Sequence, residues 1–235
     1  MIILHDARLP EEYEEALRKK MPEAYFLPVP ASPGVYDSIA SHPDIYFCQL
    51  DDRMLIHSPS VPRDVLEVLA EGGFELVPGQ SPPGGAYPAT ARYNAVRSGD
   101  FFLHNLQYTD PVVLTYVEKL GLRAIDVPQS YARCSLFPVS SSSAITADEG
   151  IAHSLRFSGI EVLLIRPGSI TLPGQEYGFI GGAGGITPDG TVIFLGNVSL
   201  HPDGDRMIDF LTEREIPYTT LAGLPLYDAG SLIIL

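Results

Sequence analysis

Cysteine is scarce in this chain: two residues in 235, Cys48 and Cys134, with no Cys-x-x-Cys spacing. Two thiols cannot build a disulfide framework, and without paired spacing they make neither a zinc site nor a redox motif. Each is a core thiol or a nucleophile. Long apolar runs are missing as well, since no stretch reaches the roughly 18 residues that a membrane span needs. The N-terminal MIILHDARLPEEYEE turns acidic where a secretion signal keeps an apolar segment, so cytoplasmic residence is expected. Basic residues are few, 15 Lys and Arg against 29 Asp and Glu, for a net charge of −14. A field of that sign repels nucleic acid and anionic lipid surfaces. The partner it favours is a small cationic molecule or a basic protein face.

What the chain has is size and repetition. With 45% hydrophobic residues it is long enough for one large domain or two small ones with a real core. The order strand, turn, strand, helix, strand recurs four times, in copies of about 45 residues that begin DIYFCQL at Asp44, ARYNAVR at Ala91, RCSLFPV at Arg133 and FIGGAGGI at Phe179. A fifth copy is split. Its second half, MIILHDARLPEEYEEALRKK followed by AYFLPVP, aligns with RMLIHSPSVPRDVLEVLAEG followed by FELVP. Its first strand is then GSLIIL at the C-terminus, and the two chain ends should meet in one hairpin. Ser60 before Pro62, Thr109 before Pro111 and the Thr146–Glu149 capping box predict helix starts. Gly121 and Gly159 predict helix ends. The Pro- and Gly-rich stretches PGQSPPGGAYP and RPGSITLPGQ read as rim loops of a single domain, 1–235, because no unit buries a face alone.

Five ββαβ modules closed by pairing of the terminal segments resemble the pentein fold, a five-fold pseudo-symmetric α/β-propeller, over the whole chain. The resemblance points to bacterial-type members of the guanidino-group-modifying superfamily. It implies binding of a guanidino or amidino compound, with no cofactor. Enzymes of that family attack a guanidinium carbon with a cysteine thiolate, use a histidine as acid and base, and hold the guanidinium with carboxylates. Their cysteine follows a Gly-Gly-Gly-x-x-His-Cys-like run near the C-terminus. The corresponding run here is Asp228 to Ile234, with Ile233 and Ile234 where His and Cys would stand. The fold also includes a non-enzymatic branch, the ribosome anti-association factor, so a ring that binds a protein partner is the alternative.

Pseudo-symmetry brings the segments leading into the first strands to the ring axis. They offer His42, Asp44, Arg92, Asn94, Cys134, Asp228 and Ser231. In the functional reading Cys134 is a relocated nucleophile and His42 its base, while Asp44, Asp228, Asn94, Arg92 and Ser231 bind ligand. Against this, an intracellular cysteine is more often a small core residue. His5, His57 and His104 occupy equivalent places in IILHD, MLIHS and FFLHN, and the five-fold arrangement holds such positions apart, so no metal is expected from them. His-Pro-Asp occurs twice. At His201–Asp203 it suits a helix start, whereas at His42–Asp44 it precedes an expected strand and is the better site candidate. GFIGGAGGITPDG lacks the third glycine of a dinucleotide loop and the Gly-Lys-Ser/Thr of a phosphate loop. Close backbone approach at the ring centre is its expected use, and Asp189-Gly190 is expected to turn a hairpin.

Overall fold

A computed structural model describes residues 1–235. The chain runs β1 (Ile2–Asp6), α1 (Glu11–Lys20), β2 (Tyr25–Val29), a helical turn α2 (Pro43–Tyr46), β3 (Phe47–Gln49), β4 (Met54–His57), α3 (Arg63–Glu71) and β5 (Glu75–Pro78). It continues through β6 (Val96–Ser98), β7 (Phe101–His104), α4 (Pro111–Lys119), β8 (Arg123–Asp126), the turn α5 (Ala132–Ser135), β9 (Leu136–Pro138), β10 (Ser143–Thr146), α6 (Glu149–Phe157) and β11 (Glu161–Leu164). The last elements are β12 (Gly184–Ile186), β13 (Val192–Phe194), α7 (Gly204–Thr212), β14 (Tyr218–Thr219) and β15 (Ile233–Ile234). They form five three-stranded sheets, ordered β3-β4-β5, β6-β7-β8, β9-β10-β11, β12-β13-β14 and β15-β1-β2.

Each sheet repeats one pattern. Its first strand pairs antiparallel with the second, and the second pairs parallel with the third across a helix. This is the five-bladed α/β-propeller. The split blade closes as the repeat predicted: Ile3 lies opposite Ile234 and Leu4 opposite Ile233, and Ile2 and Leu235 exchange backbone hydrogen bonds of 2.9 and 2.8 Å.

The blades share their cores. Cys48 and Ile56 of one sheet pack with Val113 and Val117 of the next blade's helix, and Leu103 packs likewise with Ile151 and Leu155. Ile145 meets Met207 and Leu211, Leu195 meets Tyr13 and Leu17, and Leu4 meets Val65 and Leu69. Five clusters, one per joint, bury apolar faces that no blade buries by itself. No helix is long and apolar enough to cross a membrane.

Local structure departs from expectation at two kinds of place. The segments before β3 and β9 coil into helical turns instead of extending as strands, so the first His-Pro-Asp opens α2. There the backbone groups bond partly within the segment, as Ile45 N–H does to His42 and Ser135 N–H to Tyr131, and partly to neighbouring lead-ins, as Asp44 N–H does to Gly230 and Arg133 N–H to Asn94. The helix caps also shift. Asp110 caps α4 at Val112 N–H and Asp148 caps α6 at Ile151 N–H, while Thr109 bonds His104 and Thr146 donates to the Ser135 carbonyl. Ser60 does not cap α3, which starts after Pro62 without a side-chain cap. Gly121 and Gly159 end their helices in left-handed conformation, with φ of 65° and 85°.

Candidate functional site

Six of the seven lead-in residues, from four of the five blades, gather in one place. α2 carries Asp44 and is preceded by His42, α5 carries Cys134, and the bend between Leu226 and β15 carries Asp228 and Ser231. Asn94 stands before β6. All six are buried.

Their contacts form one network. The Cys134 thiol donates to Asp44 Oδ2 at 3.1 Å, and the Asn94 amide donates to Cys134 Sγ at 3.1 Å. Asn94 Oδ1 accepts from the backbone N–H groups of Arg133 and Cys134 at 2.9 and 3.2 Å, which fixes the start of α5. The Ser231 hydroxyl, in a left-handed backbone conformation (φ 68°), bonds Asp44 Oδ2 at 2.8 Å and the Gly181 carbonyl at 3.0 Å. A non-glycine residue held in that region marks a place where the surroundings over-determine the backbone. One nitrogen of His42, one oxygen of Asp44 and the Cys134 sulfur lie within 4.8 Å of one another.

Asp228 is held by backbone. Its two oxygens accept from Phe179 N–H at 2.8 Å and Gly230 N–H at 3.0 Å. The glycine-dense stretch serves this approach, because a Cβ on Gly182 would sit 1.8 Å from Asp228 Oδ1. Gly230, at φ 67°, similarly leaves room for His42, whose Cβ would lie 2.1 Å from an added methyl.

The cluster borders an open cleft made of two adjoining cavities, of about 550 and 320 Å³, which share Tyr36, His42, Gln175 and Asp228. Asp6, Arg8 and Tyr227 line the larger, and Cys134, Tyr131, Tyr177 and Phe179 the smaller. Part of the wall comes from RPGSITLPGQ, which bridges at Thr171 to Tyr227.

Burial dominates the electrostatics. It pushes Asp44 and Asp228 up from the ordinary carboxylate range, against the pull of Cys134 on Asp44 and of His42 on Asp228. It pushes the Cys134 thiol well up, reinforced by both carboxylates, and it pushes His42 down despite Asp228 and Asp6. The resting thiol is protonated and the imidazole neutral. Cys48, by contrast, sits among apolar side chains, with its thiol pushed up to about 12 by burial alone.

Arg92 is not part of the cleft lining. Its carbonyl accepts from Asp110 N–H and its Nε is buried without a partner. Arg133 is the arginine at the axis: it donates to the Gly181 carbonyl at 2.9 Å, and with Asp44 it lines a cavity of about 150 Å³ on the other side of Asp44 from the cleft. Sequence reasoning also passed over Asp6 and Arg8. The Asp6 carboxylate chelates Arg8 at 2.6–3.1 Å and lies 3.7 Å from His42 Nε2. One signal was available, since Asp6 follows His5 where Ser58 and Asn105 follow His57 and His104. Those three histidines stand at or next to the ends of β1, β4 and β7, in separate sheets. His104 is fully engaged, by Thr109 and the Ser130 carbonyl.

Residues 4–233 match the model of a Family of unknown function (DUF6873). The chain belongs to that family. No curated protein matches it. Among solved structures, the inosamine-phosphate amidinotransferase StrB1 of Streptomyces griseus is similar at 13% identity and a TM-score of 0.51, over 90% of this chain and 74% of that one. SxtG, an amidinotransferase of the saxitoxin biosynthetic pathway from Microseira wollei, is similar at 11% identity and a TM-score of 0.49, over 94% and 88%. The likeness to StrB1 places this member of DUF6873 in the pentein fold.

Proposed function

We propose that the chain binds a small cationic guanidino or amidino compound in the cleft and acts on its C–N bond as a thiol-dependent hydrolase or transferase. The observation that carries the reading is the meeting of Cys134, His42 and Asp44 within 4.8 Å at the edge of a cleft also lined by Asp6 and Asp228. Where the superfamily's terminal cysteine would stand there is Ile234; Cys134 supplies a thiol from a different blade. The fold shared with the amidinotransferase StrB1 makes amidino transfer the reaction class to test first.

In this reading Asp228 faces the cation while Asp44 holds the thiol from behind, and the arriving positive charge offsets the two carboxylates that keep the thiol protonated. Neutral His42 takes the thiol proton, and Asp6 supports the imidazolium that forms. Cys134 sulfur bonds to the amidino carbon, and the C–N bond to the leaving amine breaks as His42 returns the proton to that nitrogen. Water or an acceptor amine then attacks the same carbon and releases the thiol.

Thermal-shift measurements with arginine, agmatine, methylated arginines and simple amidines test the binding half. A ligand at 100 times its Kd adds about 2.7 kcal/mol, and no stabilisation by any of them overturns the cationic-ligand claim. For any compound that binds and is turned over, Cys134→Ala and His42→Ala should each abolish turnover while leaving the fold intact. Unchanged turnover in either removes that residue's role.

A further inference from the structure

We infer that His42, Asp44 and Cys134 also form a binding site for a thiophilic divalent metal ion of the Zn²⁺ type. The inference uses side chains of the proposed reactive cluster but needs no substrate, so it stands apart from the amidino chemistry.

The donor set is one nitrogen, one oxygen and one sulfur, all buried, with the three atoms within 4.8 Å of one another. Zinc binds imidazole, carboxylate and thiolate at roughly 2.0–2.3 Å, and three protein ligands with one open position are its usual reactive arrangement. Small side-chain movements bring these atoms to one ion, and the adjoining cleft supplies the open position.

The surroundings are those of held ligands. Metal-bound histidines commonly present their other ring nitrogen to a carboxylate, and ligating groups are themselves hydrogen-bonded. Here His42 Nε2 faces Asp6 at 3.7 Å while Nδ1 is buried with no partner. Asn94 donates to the Cys134 sulfur at 3.1 Å, and Ser231 donates to Asp44 Oδ2 at 2.8 Å. Asp44 Oδ1 is a second buried atom with no partner. Buried polar groups are seldom left unbonded, and these two atoms on adjoining ligand side chains have lone pairs free for a cation. The three histidines that the repeat singles out, His5, His57 and His104, play no part.

Binding exchanges a proton for the metal: the Cys134 S–H bond breaks, its proton goes to solvent, and a sulfur–metal bond forms with no change of oxidation state. Metal and alkylating reagent then compete for one sulfur.

Titrating the metal-free full chain with Co²⁺ reads this directly. The expected result is a thiolate-to-cobalt charge-transfer band that saturates at one ion per chain, is bleached by Zn²⁺, survives in Cys48→Ala and is absent in Cys134→Ser. No band, or a band that persists in Cys134→Ser, overturns the site. Asn94→Ala and Ser231→Ala should weaken Zn²⁺ binding about 10–100-fold, and unchanged affinity in both removes the outer shell. Should Cys134→Ser fail to fold, Zn²⁺ protection of wild-type Cys134 against iodoacetamide replaces it, and undiminished alkylation overturns the site. A cobalt band without any thermal response to amidines sinks only the proposed function; the reverse pattern sinks only the metal site.

Discussion

His-Pro-Asp stands at two places in the ring, and the two copies live under opposite electrostatics. At Asp203 the carboxylate accepts from Arg166 N–H, Nε and Nη2 and from Arg206 Nη1, at 2.6–3.2 Å, and these partners hold it well below the ordinary carboxylate range. His201 Nδ1 accepts from Asp203 N–H, closing the turn into α7. At Asp44 the carboxylate is met by a thiol and a hydroxyl, one oxygen has no partner, and burial pushes the group up. The Asp203 carboxylate is satisfied and ties two neighbouring blades, since Arg166 follows β11 and Asp203 opens α7. The other is left wanting, which stabilises nothing and is the condition of a group waiting for a ligand.

The contrast breaks most visibly at Asp203. Asp203→Asn removes the charge that binds two arginines, and hydrogen bonds to charged groups contribute roughly 1.5–3 kcal/mol. A loss of about 2 kcal/mol is expected, or roughly 4–8 °C in Tm for a chain of this size, read by calorimetry. No loss would mean that the second copy is as dispensable to stability as the first.

Asp44→Asn should go the other way. Removing a buried charge whose desolvation outweighs its partners, here Cys134, Arg133 and Ser231, stabilises by about 1 kcal/mol, or roughly 2–4 °C, at the expense of function. A Tm that drops as far as that of Asp203→Asn would show Asp44 to be a structural anchor.

Acidity separates the pair with the smallest and most specific effect. The folded-state value of Asp44 lies above the reference 3.8, so the stability linked to it is present below 3.8 and lost as pH rises through the folded value. The advantage of Asp44→Asn is therefore greatest at neutral pH and fades on acidification. For Asp203 the folded-state value is depressed, so its stabilisation is present above 3.8 and is lost only as pH falls below that. The deficit of Asp203→Asn should hold constant down to about pH 4. Parallel melting curves of the variants and wild type check both slopes, and matching slopes would dissolve the contrast.

Repetition made the fold legible. The second strands, the helices and the closing β1–β15 pair follow from the spacing of apolar runs and turn residues, because each blade solves the same packing problem. The first strands were less legible. Their lead-ins are buried on every side near the axis, so no alternation of polar and apolar residues distinguishes strand from helical turn, and Pro43 fits the first turn of a helix better than a strand ladder. Symmetry found Cys134, His42, Asp44, Asn94, Asp228 and Ser231 because it speaks of lead-ins. It misplaced Arg92, whose position within its own turn no repeat dictates, and overlooked Arg133 beside Cys134. Asp6 ends a second strand, Arg8 follows it and Tyr36 belongs to a long connection, places where the five copies differ and symmetry is silent.

The closing pair has a mechanical consequence. Ile2 and Leu235 lie side by side at the open end of an antiparallel ladder. A force that draws the two ends of the ring apart is borne by one rung at a time, as in a zipper, while the five joints between blades are spared until that seam has opened. The ring is a bracelet with its clasp at β1 and β15.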